Sequence, residues 1–129
     1  MLKTILSIFI LLHGLVHAWY VLLLSNVVKY TPDMGWTGNS WLFPGPVPGP
    51  GARMAAAILY ALAGLMFVIS GIGLMSGSAW NRPLLVASAV LSSVLILTCF
   101  DGRPEMLVQK GLIGLIINII IIILILLKR

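Results

Sequence analysis

Long apolar runs dominate the chain, and polar or helix-breaking residues interrupt them at three places. The runs cover about residues 4–28, 54–75, 84–100 and 107–127. A helix needs roughly 20 apolar residues to cross the hydrocarbon of a bilayer, and these runs reach or approach that length. The pattern predicts an all-α fold, an integral membrane bundle of four transmembrane helices that forms a single domain over residues 1–129.

The interruptions are rich in glycine and proline, the residues that most often end helices. Two of them are short, "SGSAWNRP" and "DGRPE". The longest, residues 29–53, contains "PGPVPGPG", which is not expected to be helical, and the aromatic residues Trp36, Trp41 and Phe43. Tryptophan prefers the membrane–water boundary, so this segment is predicted to be a surface loop over one end of the bundle. It would serve as an interfacial anchor or as a lid over a binding site.

The composition indicates that lipid is the solvent for most of the surface. Hydrophobic residues make up 60% of the chain and charged residues 9%, whereas soluble domains carry about 25% charged residues. The net charge of +5 comes from scattered residues that form no basic cluster. Nucleic-acid binding is therefore not expected, and the lipid bilayer is the expected partner.

The first run has a second interpretation, and the orientation of the chain is weakly determined. "MLKTILSIFILLHGLVHA" also resembles a secretory signal, but apolar residues continue beyond it, so we expect a retained helix. Basic residues divide evenly between the two sides of the predicted bundle, so the positive-inside rule does not decide. All the acidic residues fall on the long-loop side, which favours cytoplasmic termini.

Two histidines, His13 and His17, interrupt the first run in "LLHGLVHAWY". Residues four apart share one face of a helix, and ionisable groups inside a span are costly and often functional. At about 1.5 Å per residue, His13 and Asn118 of the last run both lie roughly 15 Å from the terminal side. Asp101 enters from the opposite boundary. These four residues are the predicted site for a ligand or proton.

Three interpretations of the histidine pair stay open, and the cofactor and any catalysis are undetermined. The pair could form a polar pocket that binds or passes a small ligand such as a quinone or lipid, a proton or an ion. It could belong to a redox or metal-dependent membrane enzyme subunit, since an H-x-x-x-H face can chelate a metal with Cys99 or Asp101 as a further ligand. It could also only join helices in a structural accessory subunit without a site.

Small residues at four-residue spacing predict where helices touch. Ala57 and Ala61 follow the small-xxx-small pattern, as do Ser88 and Ser92, and this pattern permits close helix crossings. Residues 119–127 carry neither small nor polar side chains. We expect that stretch to face lipid or to contact another subunit in a homo-oligomer or larger membrane complex.

The pattern "LHGLVH" in the first run, with "FDGRPEMLVQKGLIGLIINIIII" leading into the last, resembles small four-helix bacterial membrane proteins of the broad DoxX-like kind. The resemblance covers most of the chain in length and helix count. Some DoxX-type proteins look like small membrane subunits tied to quinone-linked oxidation. The resemblance implies a bacterial or archaeal cytoplasmic membrane, and it favours a quinone as the ligand and a quinone-linked redox subunit as the alternative function.

Overall fold

The part of the chain that the structure describes contains four α-helices and parts of the segments that connect them. The computed structural model describes residues 1–28, 39–42, 49–105 and 107–127, and its helices are α1 (Leu2–Leu24), α2 (Gly49–Ser76), α3 (Asn81–Cys99) and α4 (Leu112–Leu127). The first three are long and apolar enough to cross a membrane, which fits an integral membrane protein. α4 has 16 residues, about 24 Å at 1.5 Å per residue, less than the roughly 30 Å of hydrocarbon in a bilayer.

α1 ends at Leu24, four residues before the predicted end of the first run. Asn26 adopts a left-handed backbone with a φ of 58°, a conformation that asparagine tolerates better than most residues. The amides of Asn26 and Val27 donate to the carbonyls of Leu23 and Leu22. This backbone reversal satisfies carbonyls at the end of the helix and stops it there.

The starts of two helices also differ from their predicted positions. α2 begins at Gly49, so the prediction that the whole "PGPVPGPG" segment is non-helical was wrong for its last three residues. Pro50 lies in the first turn, where its missing amide hydrogen costs little. α4 begins only at Leu112, because residues 107–111 form turns and Gly111 has a φ of 108°, which no right-handed helix can continue.

The backbones of α1 and α2 come into contact at a pair of glycines. A methyl group on Gly14 would lie 2.9 Å from the Gly64 carbonyl oxygen, and one on Gly64 would lie 2.9 Å from the Gly14 carbonyl oxygen. Neither position has room for a larger residue at this helix separation. Gly14, which lies between the two histidines in the sequence, therefore lets α2 approach α1 closely, and Gly64 is the residue that it meets.

Each helix packs on the next in chain order, α1 on α2, α2 on α3 and α3 on α4. Two clusters of buried apolar residues hold them together, one around Tyr60, Ala63 and Leu95, the other around Phe67 and Ile121. The buried side chains between the two clusters include His13 and His17 of α1 and Ser92 of α3, and Asn118 of α4 lies beside them. The core is therefore divided by a polar layer at mid-bundle.

The outer side of α4 is apolar and exposed. Ile119, Ile120 and Leu124 are each about half exposed, while Ile121 on the opposite side is 8% exposed. The pattern agrees with the expectation that most of the circumference of residues 119–127 points away from the bundle.

Candidate functional site

Four polar side chains from three helices form a hydrogen-bonded ring at mid-bundle. His13 Nε2 lies 2.9 Å from Asn118 Oδ1, and Asn118 Nδ2 lies 2.9 Å from Ser92 Oγ. His17 Nε2 lies 2.8 Å from the same Ser92 Oγ, and His17 Nδ1 lies 3.0 Å from the carbonyl oxygen of His13. His13, His17, Ser92 and Asn118 are called the polar ring below.

The polar ring is shielded from the outside of the bundle. Ser92 and Asn118 have no exposed surface, and His17 and His13 are 3% and 6% exposed. Burying a polar group costs free energy unless the group is hydrogen-bonded. The ring supplies that compensation, which explains how an apolar bundle accommodates these side chains.

The partners of the two imidazoles determine which nitrogens carry hydrogen. A carbonyl or amide oxygen can only accept, so His13 Nε2 donates to Asn118 and His17 Nδ1 donates to the His13 carbonyl. Asn118 Nδ2 donates to Ser92, and the Ser92 hydroxyl is then left to donate to His17 Nε2. Every donor points the same way around the ring, and both imidazoles are neutral.

The opposite orientation of the Asn118 amide fits less well. It would turn the amide oxygen toward Ser92, and the Ser92 hydroxyl would have to donate to that oxygen. His17 Nε2 would then need a second hydrogen and a positive charge, because its Nδ1 already donates to the His13 carbonyl. An unpaired charge in a buried site is far more costly than a neutral imidazole, so the neutral ring is the favoured arrangement.

α2 contributes aromatic side chains, rather than polar ones, to the wall of the ring. The fully buried Phe67 ring lies 4.7 Å from the His13 imidazole and 5.3 Å from the His17 imidazole, between ring centroids. Tyr60 lies 6.1 Å from His17. These rings exclude solvent from one side of the imidazoles and leave the hydrogen bonds to α3 and α4.

Small residues bring the helices close enough for these short polar side chains to meet. A methyl group on Gly64 would lie 3.0 Å from the His17 Cβ, and one on Gly114 of α4 would lie 4.0 Å from the His13 Cε1. Small residues in membrane helices commonly permit such close approaches. The ring therefore depends on glycines that carry no chemistry of their own.

An apolar cleft of about 300 Å³ adjoins the polar ring on the side of the chain termini. Its lining comes from all four helices: Leu6, Phe9, Ile10, Leu74, Asn81, Arg82, Leu85, Ile117, Ile120, Ile121, Leu124 and Ile125. Phe9 belongs to both sites, because its ring also stacks on the His13 imidazole with 6.4 Å between centroids and 6° between planes. Asn81 and Arg82, in the first turn of α3, supply the polar atoms at the other end of the cleft.

Asp101 does not join the histidines. Its carboxylate accepts hydrogen bonds from Lys110 Nζ at 2.7 and 2.8 Å and from the Arg103 amide at 3.2 Å. Burial by itself would raise the pKa of Asp101, but the bonds and charges of Lys110 and Arg103 outweigh it and hold the pKa below its usual value. Among the described residues, the structure brings together three of the four predicted site residues and leaves Asp101 in a separate ion pair at the boundary.

The residues proposed as metal ligands are also dispersed. Across the described part of the chain, no group of three or more His, Cys, Asp and Glu gathers in one place. Cys99 packs against the apolar cluster that contains Tyr60, and Asp101 pairs with Lys110. Chelation of one ion by both His13 and His17 through Nε2 would break two bonds of the polar ring.

A short stretch of the long loop, residues 39–42, contacts the end of α3. Trp41 Nε1 donates to the Leu97 carbonyl at 2.7 Å, and the Trp41 amide donates to the Phe100 carbonyl at 2.9 Å. Carbonyls at the end of a helix lack partners within the helix, so Trp41 satisfies them and attaches the loop there. Trp36 and Phe43 lie outside the described residues.

Two residues of the site were not identified from the sequence, and a third, Ser92, was predicted without its partners. The sequence places Ser92 at a helix contact and on the polar route between the histidines and Asp101, but it does not mark it as the partner of both Asn118 and His17. Phe67 is one of many apolar residues in α2, and no local signal distinguishes it. Gly64 has a weak signal, since an isolated glycine inside a helix lowers its stability and often has a packing reason.

Comparisons with protein-family models, with curated proteins and with solved structures find no match to this chain. The functional interpretation therefore depends on the polar ring and the cleft.

Proposed function

We propose that this protein is a four-span membrane protein that binds a small amphiphilic molecule from the bilayer. The apolar part of the molecule lies in the cleft, and the polar ring forms the inner end of the site. The observation that carries the proposal is the direct contact between cleft and ring through Phe9, which lines the one and stacks on the other. Ligand sites between helices combine an apolar surface with a few convergent polar groups.

The position of α4 beside α3 supports a fourth crossing. Near one end of α3, a methyl group on Gly111 would lie 3.1 Å from the Ile96 side chain. At the other end, Ile125 lines the same cleft as Arg82. Because α4 follows α3, which is long enough to span, we assign it a span that includes the preceding turns. Both termini then lie on one side, which we place in the cytoplasm of a bacterial or archaeal cell.

Ligand binding is better supported than proton passage. A proton moving between the imidazoles around the ring would have to cross the Asn118 amide, whose N–H groups do not titrate near neutral pH. The ring is in this respect an interrupted path. Its imidazoles are therefore hydrogen-bonded members of a closed ring and not links in a proton relay.

A quinone or quinol is a second candidate ligand. In the neutral ring His13 Nδ1 is an acceptor, and among the described residues none donates to it. A quinol hydroxyl is a donor that could bind this atom while its ring packs near Phe9. The likeness of "LHGLVH" to DoxX-like proteins favours this candidate and with it a role as a quinone-linked membrane subunit.

A substitution that fills the cleft without disturbing the buried core tests the proposal. Ile120 lines the cleft and is 49% exposed, whereas its neighbour Ile119 is 47% exposed and lies outside the cleft. We expect Ile120→Trp to lose a lipophilic molecule that co-purifies with the wild type. Ile119→Trp, the matched control, should retain it. Organic extraction of each purified protein and mass spectrometry of the extract measure the difference.

Identical extracts from the wild type and both variants, with no molecule in stoichiometric amount, would refute the ligand site. The polar ring would then be a structural contact between helices, as expected of an accessory subunit.

A further inference from the structure

Positive charge surrounds the end of the cleft that lies nearest the chain termini. Arg82 lines the cleft and is exposed. At the same end, Lys3 Nζ would lie 3.1 Å from a methyl group on Gly77. The first turn of α3 adds the positive end of a helix dipole.

The remainder of the cleft is apolar and narrow. Apart from Asn81 and Arg82, all its lining side chains are hydrocarbon or the phenyl ring of Phe9. Its volume of about 300 Å³ is at the lower end of the roughly 300–1,000 Å³ found for ligand pockets. That size suits one hydrocarbon chain better than the two chains of a phospholipid.

We propose that the ligand of the cleft is a free long-chain carboxylate. Its headgroup binds Arg82, and its chain extends past Leu85 and Ile121 toward Phe9 and the polar ring. A guanidinium matches the geometry of a carboxylate and can form two parallel hydrogen bonds with it. The inference rests on the proposed function, because it names the ligand class for the same cleft.

The orientation follows from the two ends of the cleft. At one end a cation meets the membrane surface, where a carboxylate stays hydrated. At the other end Phe9 covers the His13 imidazole, and the ring bonds of His13 and Asn118 are already formed. A charged headgroup therefore binds most favourably at the first end, beside the cation. A hydrocarbon chain is placed at the lowest cost in free energy at the second end, where no hydrogen bond has to be broken.

The test measures binding of dodecanoate and of dodecanol, which have the same chain length and differ in charge. Native mass spectrometry in a non-ionic detergent counts bound molecules and gives the Kd. We expect one dodecanoate per chain and weaker binding of dodecanol. Arg82→Gln should raise the Kd for dodecanoate about tenfold, the loss expected for a charge-assisted hydrogen bond, without changing the Kd for dodecanol.

Four variants control for the effect of the substitution. Arg82→Lys keeps the charge and should restore most of the affinity. Arg103→Gln removes an exposed cation in the connection between α3 and α4 and should leave both Kd values unchanged. Ile120→Trp should abolish binding of both probes, whereas Ile119→Trp should not.

The possible contrary results distinguish a failure of the carboxylate inference from a failure of the proposed ligand-binding function. If Ile120→Trp abolishes dodecanoate binding but Arg82→Gln does not weaken it, the cleft binds ligands and the carboxylate inference is wrong. Preferential binding of dodecanol, of decylubiquinone or of phosphatidylglycerol would also overturn the carboxylate inference in favour of that ligand. Dimers that disappear in Ile120→Trp would assign the cleft to a second copy of the chain. Equal dodecanoate binding by the wild type, Ile119→Trp and Ile120→Trp would overturn both proposals.

Discussion

The polar ring and the Asp101–Lys110 pair are both well buried, yet they use different chemistry. The ring lies at mid-bundle and consists of neutral groups joined by directional hydrogen bonds. The pair lies beyond the end of α3 and joins two full charges at 2.7 Å, with side-chain exposures of 8% for Lys110 and 4% for Asp101. Charge is far more costly than a neutral dipole in hydrocarbon. Depth in the membrane thus decides which kind of polar contact the fold can use.

Substitutions in the polar ring and in the Asp101–Lys110 pair should also have different consequences for stability. Each member of the ring has at least one partner on another helix, so removing one leaves buried groups without a partner. Lys110 lies near the boundary, where water can replace a lost carboxylate. Stability of the ring should therefore depend strongly on the spacing of the helices, and that of the pair on acid in the range that titrates Asp101.

The largest effect on the free energy of unfolding is expected from Gly64→Leu, which disturbs the ring by changing the distance between α1 and α2. The new side chain would collide with the Gly14 carbonyl and the His17 Cβ and push α1 away from α2. We expect a loss of about 3 kcal/mol in the free energy of unfolding, the upper range for overpacking. Reversible unfolding in mixed detergent micelles, followed by circular dichroism, measures it. Gly51→Leu is the control, because a methyl group there meets nothing within 4 Å.

The second-largest effect is expected when one hydrogen-bonding group of the ring is removed without introducing a steric clash. Ser92→Ala removes the shared partner of Asn118 and His17 and should cost about 1–2 kcal/mol, given the modest worth of hydrogen bonds in membrane bundles. Ser93→Ala should cost less than about 0.5 kcal/mol, since within the described part of the chain Ser93 bonds only to the Ala89 carbonyl of its own helix.

A double-mutant cycle shows whether the ring acts as one unit. Asn118→Leu alone should cost about as much as Ser92→Ala, and the double variant should cost much less than their sum. Strict additivity would mean that the four side chains form independent contacts.

Asp101→Asn tests the boundary pair and should lower the free energy of unfolding by about 1 kcal/mol at neutral pH. Because the pKa of Asp101 is held below its usual value, the folded state favours the carboxylate. The stabilisation is therefore complete above the usual value of about 3.9 and is lost as the pH falls through the lower folded pKa. Unfolding of wild type and variant across this range measures the gap, and a gap that stays constant into strong acid would contradict the assignment.

The smallest effect is expected from Trp41→Phe. The indole hydrogen bond to the Leu97 carbonyl would be lost while the aromatic contact with Phe100 persists. We expect a loss of about 0.5 kcal/mol and faster hydrogen exchange at the end of α3. Unchanged exchange there would show that Trp41 does not hold the loop to the helix.

Much of the fold was predictable from the sequence because bilayer thickness sets the length of apolar runs. The helix order follows from those runs and their breaks, and the shared depth of His13 and Asn118 follows from the helical rise. The helix boundaries were less predictable. The left-handed Asn26 and Gly111, which end α1 early and start α4 late, leave no mark in the hydrophobic pattern.

The site was predictable in its residue types but not in its connections. Sequence spacing places His13 and His17 on one face, yet it cannot give the rotation of each helix about its own axis. That rotation decides that Ser92, and not the adjacent Ser93, meets the ring. The turns of the connection between α3 and α4, which the pattern does not give either, bring Asp101 to Lys110, nine residues along the chain, rather than to a histidine. The cleft results from the packing of four helices, and a one-dimensional pattern does not contain it.

The central claim is that the polar ring is a closed set of hydrogen bonds between uncharged groups. Nitrogen-15 NMR of the histidine side chains, in protein reconstituted in lipid bilayers at neutral pH, tests it directly. The account predicts one protonated and one unprotonated nitrogen in each imidazole, with the hydrogen on Nε2 of His13 and on Nδ1 of His17. A spectrum in which either imidazole carries hydrogen on both nitrogens, or in which His17 carries it on Nε2 alone, would contradict the ring.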